Sequence, residues 1–271
     1  VSMKWDRNLE YYDSPEPYFE RVDTTLIRDP QRILAALQSG ELDASSLSIT
    51  QSDEARSKLD PNGQFLYPGT GSINGFMFNF DLPPWNDKRV RQALSMALDR
   101  DGYLQVLDPT GEGTWSSFFG PALQPYFMSP KDDAAKFGDR AKYFQKNITE
   151  AKALLTAAGF PNGLDVNIIS NVDRYGPVSQ QTWELVASTV KEAGFNAQNV
   201  YQEYGAYIQS TYFGKITAPN GVGLGPLIGT VLDPDDILNT CYWSGSARHN
   251  WSGTPIAEMA VLDDLYTKQR S

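Results

Sequence analysis

Between Asn147 and Tyr204 the sequence switches twice from a helical period to a strand-like run, and a glycine closes each helix. Asn147 and Glu150 have the spacing of a capping box, Ala151, Leu154, Leu155 and Ala158 make one apolar stripe, and Gly159 supplies a residue that tolerates a left-handed C-cap. Leu164 to Ser170 reads as a strand. Pro177 to Ala193 is predicted helical, with Trp183, Leu185, Val186 and Val190 inward and Gly194 as its stop. Asn199 to Tyr204 is the next predicted strand, and Gly205 to Tyr212 a further short helix. Trp183 sits where its helix needs an inward aromatic and is read as core. Helix, strand, helix, strand in this order calls for a parallel sheet with right-handed crossovers, so the fold class is α/β. AAGF at 157–160 and EAGF at 192–195 are two helix stops and do not mark a duplicated domain.

A second well-marked stretch runs from Asn79 to Leu107. A strand over Asn74 to Phe80 passes through Leu82-Pro83-Pro84 into a helix whose apolar face is Val90, Ala93, Leu94, Ala97 and Leu98. Pro84 cannot sit inside that helix, and Asn86 or Asp87 can accept its free N–H groups, so it starts near Asn86. Asp99 to Gly102 interrupt the pattern before Tyr103 to Leu107 resume it. Upstream, residues 1–50 are read as a βαβ unit. Its parts are a strand from Val22 to Ile27, a helix begun by Asp29-Pro30 and ended by Gly40, and a second strand, parallel to the first, from Glu41 to Leu47. Ser52 to Leu59 is a short helix candidate. Residues 107–147 read as a long ordered loop in which Trp115, Phe118, Phe119, Tyr126 and Phe127 pack locally.

Residues 214–232, GKITAPNGVGLGPLIGTVL, match neither G-x-G-x-x-G nor a P-loop and are read as a flexible or closely packed loop. Asp233, Asp235 and Asp236 cap and charge the start of a helix; the 12-residue spacing of a calcium loop is absent. Ile256 to Tyr266 is a last helix candidate.

A net charge of -10 argues against nucleic acid and anionic membrane as partners, since both reward clustered Lys and Arg. No 18-residue apolar stretch exists, so direct membrane insertion is not expected, and VSMKWDRN at the start reads as neither a signal peptide nor a lipoprotein leader. Cys241 is the only cysteine and His249 the only histidine, so thiolate clusters and two-histidine zinc motifs are out, and no metal or other cofactor is expected. Cys241 is read as a small buried hydrophobe. A glycoside hydrolase working through two carboxylates is the alternative enzyme reading; Asp101, Glu203 and Asp233 are the acids it would recruit, and no pair declares itself.

VRQAL at 90–94 with Ala97, Asp99 and Arg100 after a strand ending at Asn79, together with EAKALLTAAGFPNG at 150–163 and the Asp233-Pro234-Asp235 helix, closely resembles the family 5 extracellular solute-binding proteins. These are the dipeptide, oligopeptide and nickel receptors of bacterial ABC importers. The resemblance implies a type II, periplasmic-binding-protein-like lobe with a parallel or mixed sheet flanked by helices. It also implies a division into residues 1–50 as part of the larger lobe with its crossover, 51–230 as the smaller lobe, and 231–271 as an incomplete return to the larger one. The chain is accordingly expected to be a piece of a longer, extracytoplasmic receptor, periplasmic or lipid-anchored, and a monomer. Its implied partners are a small organic solute and a membrane ABC permease, and no chemistry is implied.

The loops leaving the strands would then form the ligand face. Arg174 and Tyr175 follow the strand ending at Ser170, in an Arg-x-x-Pro pattern close to the one with which peptide receptors grip a carboxylate; a surface arginine without a ligand fits it equally. Tyr204 and Tyr207 offer stacking faces, and Asn79 ends its strand at the crossover. The resemblance places Leu227 at the position of a family tryptophan and Thr230 at the position of the aspartate that accepts a peptide's ammonium group. Loss of that charge-assisted bond costs roughly 1.5–3 kcal/mol. A non-standard peptide, a sugar or a similar solute is therefore expected.

Overall fold

The computed structural model describes residues 2–27, 29–47, 49–58, 64–65, 73–108, 111, 113–117, 119–124, 126–213, 215–228, 233–246 and 257–270. The chain divides into two compact units, 1–66 and 67–271.

In the first unit, β1 (Ser2–Asp6) and β2 (Arg21–Thr25) form an antiparallel pair in which Trp5 faces Val22 and Asp6 meets Arg21 at 2.8 Å. Then come α1 (Pro30–Ser39) and α2 (Ile49–Lys58). Asp29 caps α1 by accepting from the N–H groups of Gln31 and Arg32, and Gly40 ends it at φ 74°. The expected βαβ unit is overturned. The strand at Val22 pairs with β1 in the antiparallel sense, and 41–47 is irregular. Leu42 folds back so that its N–H donates to the Ala36 carbonyl at 3.1 Å, which turns the chain over the helix end where a strand would have to leave it.

The second unit is built on a four-stranded mixed sheet of order β3-β6-β4-β5. The strands are β3 (Ile73–Met77), β4 (Leu164–Ser170), β5 (Phe195–Tyr201) and β6 (Gly221–Ile228). β4 runs parallel to β5 and β6, and β3 runs antiparallel to β6. Between β3 and β4 lie α3 (Lys88–Ala97), α4 (Arg100–Leu107), α5 (Ala134–Phe137) with a 3₁₀ helix at Gly138–Phe144, and α6 (Ile148–Ala157). α7 (Gly176–Lys191) crosses from β4 to β5. After β5 come α8 (Tyr204–Tyr207), extended by a wider turn at Ile208–Tyr212, then β6, α9 (Pro234–Ile237) with a similar turn at Leu238–Tyr242, and α10 (Ala257–Gln269).

The main core lies under one face of this sheet, where Val90, Leu94, Leu155, Trp183, Val186 and Val190 meet Val166, Ile168, Phe195 and Val222. Trp183 is 1% exposed and is core. The other face is covered by Tyr207, Tyr212 and Ile216 against Met77 and Ile169. Ile237 reaches back to Ile73 and Leu123, so α9 packs within this unit.

Several boundaries differ from the expectation. β5 spans Phe195–Tyr201 instead of 199–204, because Gly194 stops the helix and the strand starts at once. Residues 107–147 include α5 and the 3₁₀ helix. α4 begins at Arg100, capped by Asp99, whose carboxylate accepts from Gly102 N–H. The largest departure is β6, expected as a loop. Its glycines suit it to a crowded sheet centre: a Cβ at Gly223 would lie 2.6 Å from Thr211 Cγ2, and one at Gly225 2.6 Å from the Tyr207 hydroxyl.

Arg100 holds the α3–α4 corner together. Its guanidinium donates to the carbonyls of Ser95 (2.9 Å) and Phe144 (2.6 Å) and to Ser95 Oγ (2.7 Å). Burial pulls its pKa down to about 10, so it remains a cation at neutral pH.

Candidate functional site

β4 and β5 pair in register from Leu164 with Phe195 to Ser170 with Tyr201, so they end together and their outgoing loops emerge side by side. The loops are braced to each other. Asn171 is fully buried; its amide donates to the Gln202 carbonyl at 2.8 Å and to Asp173, while its Oδ1 accepts from Arg174 N–H at 2.9 Å. Asp173 in turn accepts from Tyr204 N–H at 3.3 Å, and Thr211 Oγ1 donates to Gln202 Oε1 at 2.9 Å. The backbone is thereby fixed on both loops, while the side chains of Arg174, Tyr175 and Tyr204 stay wholly or partly exposed. Tyr175 and Tyr204 meet edge to face at 6.3 Å, and the Arg174 guanidinium carbon lies 5.9 Å from the Tyr204 ring centre. Arg174 makes no ion pair among the described residues. A cation beside two aromatic rims suits an organic solute that carries a carboxylate or presents a flat or stacking face.

Among the described residues, the structure does not bring the other predicted contacts to this place. Tyr207 as a stacking face is overturned: it is 0% exposed, enclosed with Met77 and Ile169, and its hydroxyl donates to the Leu224 carbonyl at 3.3 Å. Burial raises its pKa. Asn79 follows β3, which runs against β6, so the chain leaves the sheet there in the direction opposite to that at Ser170. There it works as a tie, donating to the Ile216 carbonyl at 3.1 Å and accepting from Asp81 N–H at 3.0 Å. Leu227 is at the right end but packs half-buried against Tyr212 and the Ile73 cluster. Thr230 and His249 lie outside the described residues. The bracing residues Asn171, Asp173 and Gln202 were not anticipated; the signal for the first two was Asn-x-Asp straight after a strand, a composition that closes turns with its own side chains.

The acids of the hydrolase reading are occupied locally. Asp101 accepts from Trp115 Nε1 and Lys131 Nζ, each at 2.9 Å, Glu203 caps Ala206 at 3.1 Å, and Asp233 caps Asp235 at 2.8 Å. Among the described residues no group of His, Cys, Asp and Glu side chains is arranged to hold a metal ion, and no helix is long and apolar enough to cross a membrane. Cys241 is buried, and burial raises its pKa to about 11.

A mixed sheet sandwiched by helices, with a braced cluster of loops at the ends of its parallel strands, defines a lobe of the type II periplasmic binding protein fold. Residues 1–242 match the bacterial extracellular solute-binding proteins, family 5 Middle, and the chain belongs to that family. It is 26% identical over 246 residues to heme-binding protein A of Haemophilus influenzae, a match covering 88% of this chain and 42% of that one. It is 23% identical over 283 residues to the oligopeptide-binding protein AppA of Bacillus subtilis, covering 96% and 48%. Its fold resembles the ABC transporter substrate binding protein CtaP of Listeria monocytogenes with a TM-score of 0.73 at 22% identity, covering 98% of this chain and 50% of that one. The chain spans about half the length of the curated relatives it matches.

Proposed function

We propose that this chain belongs to the solute-capturing receptor of an ABC importer, acting outside the cytoplasm, handing its ligand to a membrane permease and carrying out no chemical turnover. The observation that carries this reading is the family match across residues 1–242. The relatives' names, heme-binding and oligopeptide-binding, support capture of an organic solute. Within that class we place the contact at Arg174, Tyr175 and Tyr204, where exposed side chains stand on braced loops. Arg174 would take a carboxylate and the two rings a flat or stacking face. A non-standard peptide, a sugar or a similar solute is the preferred ligand, on the threonine at position 230.

The test is calorimetry on the receptor with peptide, heme and sugar-conjugate libraries, with product analysis of each mixture. Saturable binding of one class with the ligand recovered intact supports the reading. Ligand recovered chemically altered, or no saturable binding from any library, refutes it.

A further inference from the structure

A concavity of about 520 Å³ lies between the first half of α3 and the 3₁₀ helix, and none of its lining residues belongs to the loops after β4 and β5. Lys88 and Gln92, one turn apart on α3, form one wall; Asp139, Arg140, Lys142 and Tyr143 form the other. Three cations against one carboxylate leave a local charge of +2 in a chain whose net charge is -10. Lys88, Arg140 and Lys142 are exposed and make no ion pair among the described residues. By contrast, the neighbouring Arg89 is neutralised by Asp87 at 2.6 Å.

The walls are held at a fixed separation. Arg100 ties the Phe144 carbonyl to the end of α3, Ser95 Oγ donates to the Tyr143 carbonyl at 2.7 Å, and Asn147 N–H donates to the Met96 carbonyl at 2.8 Å. The cations therefore stand on a preorganised frame with exposed side chains, the Lys142 ammonium lying 5.2 Å from the Tyr143 ring centre.

We propose that this concavity is a docking site for an acidic segment of a partner protein. Exposed cations on long stems, spread over two elements, match several carboxylates spaced along a peptide better than one small anion, which is held by buried, convergent donors. Tyr143 adds a partly apolar wall for the stem of such a segment. A bilayer surface fits poorly, because it is flat and because the remaining charge of the chain would repel anionic lipid. In a protein this acidic, a basic recess also helps to fix orientation, since an acidic partner is steered towards it.

The proposal does not depend on which solute the receptor captures, and its test reads a different surface. A fluorescent hexaglutamate peptide would be titrated into the chain at low salt, and into the triple variant Lys88→Glu/Arg140→Glu/Lys142→Glu. A control variant, Lys152→Glu/Lys191→Glu/Lys215→Glu, makes the same charge change on exposed lysines elsewhere, and circular dichroism verifies the fold of both. The expected result is saturable binding that weakens with salt and is reduced roughly tenfold or more in the first variant, with a clearly smaller loss in the control. Equal losses in the two variants would overturn the proposal, as would no binding at all. Displacement of the peptide by inorganic phosphate at equal concentration would overturn it in favour of a small-anion site. Sedimentation with phosphatidylglycerol vesicles that depends on the same three residues would overturn it in favour of a lipid surface.

Discussion

Gly223→Ala probes the reading of β6 most directly. The position has ordinary extended backbone, so alanine faces no conformational penalty there and, in open space, would stabilise the chain by about 0.4–1 kcal/mol through the unfolded state. Space is what the site lacks. The new Cβ would lie 2.6 Å from Thr211 Cγ2 and 3.1 Å from Met77 Cβ, and Thr211 and Met77 are themselves buried. Overpacking of this kind costs about 1–3 kcal/mol, so the net effect is a loss of about 1–2 kcal/mol. Urea unfolding followed by fluorescence would show this as a lower midpoint at unchanged slope. Thr211→Ser removes the clashing methyl and keeps the hydroxyl that donates to Gln202, so in the double variant the two losses should fall short of additive by about 1 kcal/mol. A stabilised Gly223→Ala, or strict additivity with Thr211→Ser, would refute the claim that the glycine is there for close approach.

Asn171→Ala removes a buried amide that serves the Gln202 carbonyl and Arg174 N–H, and should cost about 1–3 kcal/mol in denaturant midpoint while also weakening solute binding. Arg174→Ala should leave stability within about 0.5 kcal/mol and lower solute affinity about tenfold by calorimetry. Asn147→Ala deletes the acceptor for Glu150 N–H at the start of α6 and should lower stability by about 1 kcal/mol. Alkaline pH should destabilise the fold. The unfolded Cys241 thiol ionises near its ordinary 9.0 while the folded one keeps its proton to about 11, so stability falls as pH rises across that window. Tyr103 and Tyr242, raised by burial, add to the fall above about pH 10, and Cys241→Ala should flatten its first part in pH-dependent unfolding.

Elements with local signals were legible in the sequence. α6 announced itself through Asn147 and Gly159, β4 was read at its observed limits, and the α3 face from Val90 to Ala97 is buried as its period required. What was illegible depended on residues far away in sequence. The glycines of β6 lower strand propensity, and the reason for them sits on Thr211, Tyr207 and Met77, which only the sheet brings close. The strand at Val22 could be seen, whereas its antiparallel partner at Ser2–Asp6 could not be chosen over the segment after α1. At the candidate site, Arg174, Tyr175 and Tyr204 stood out by their place at predicted strand ends and by the family resemblance. The topology then separated Asn79 from them, since the direction of β3 relative to β6 is not written in either strand.

β6 pairs with β4 only from Gly221 to Gly223, although it continues to Ile228. Past that point two phenols reach it instead: Tyr207 donates to the Leu224 carbonyl at 3.3 Å and Tyr212 to the Leu227 carbonyl at 3.1 Å. Side-chain hydroxyls here do part of the work of a missing strand, yet unlike a strand they cannot propagate a ladder. They satisfy carbonyls on a stretch that is buried at Leu224 and half-buried at Leu227, so β6 can outrun its partner on this side without stranding polar groups in the interior.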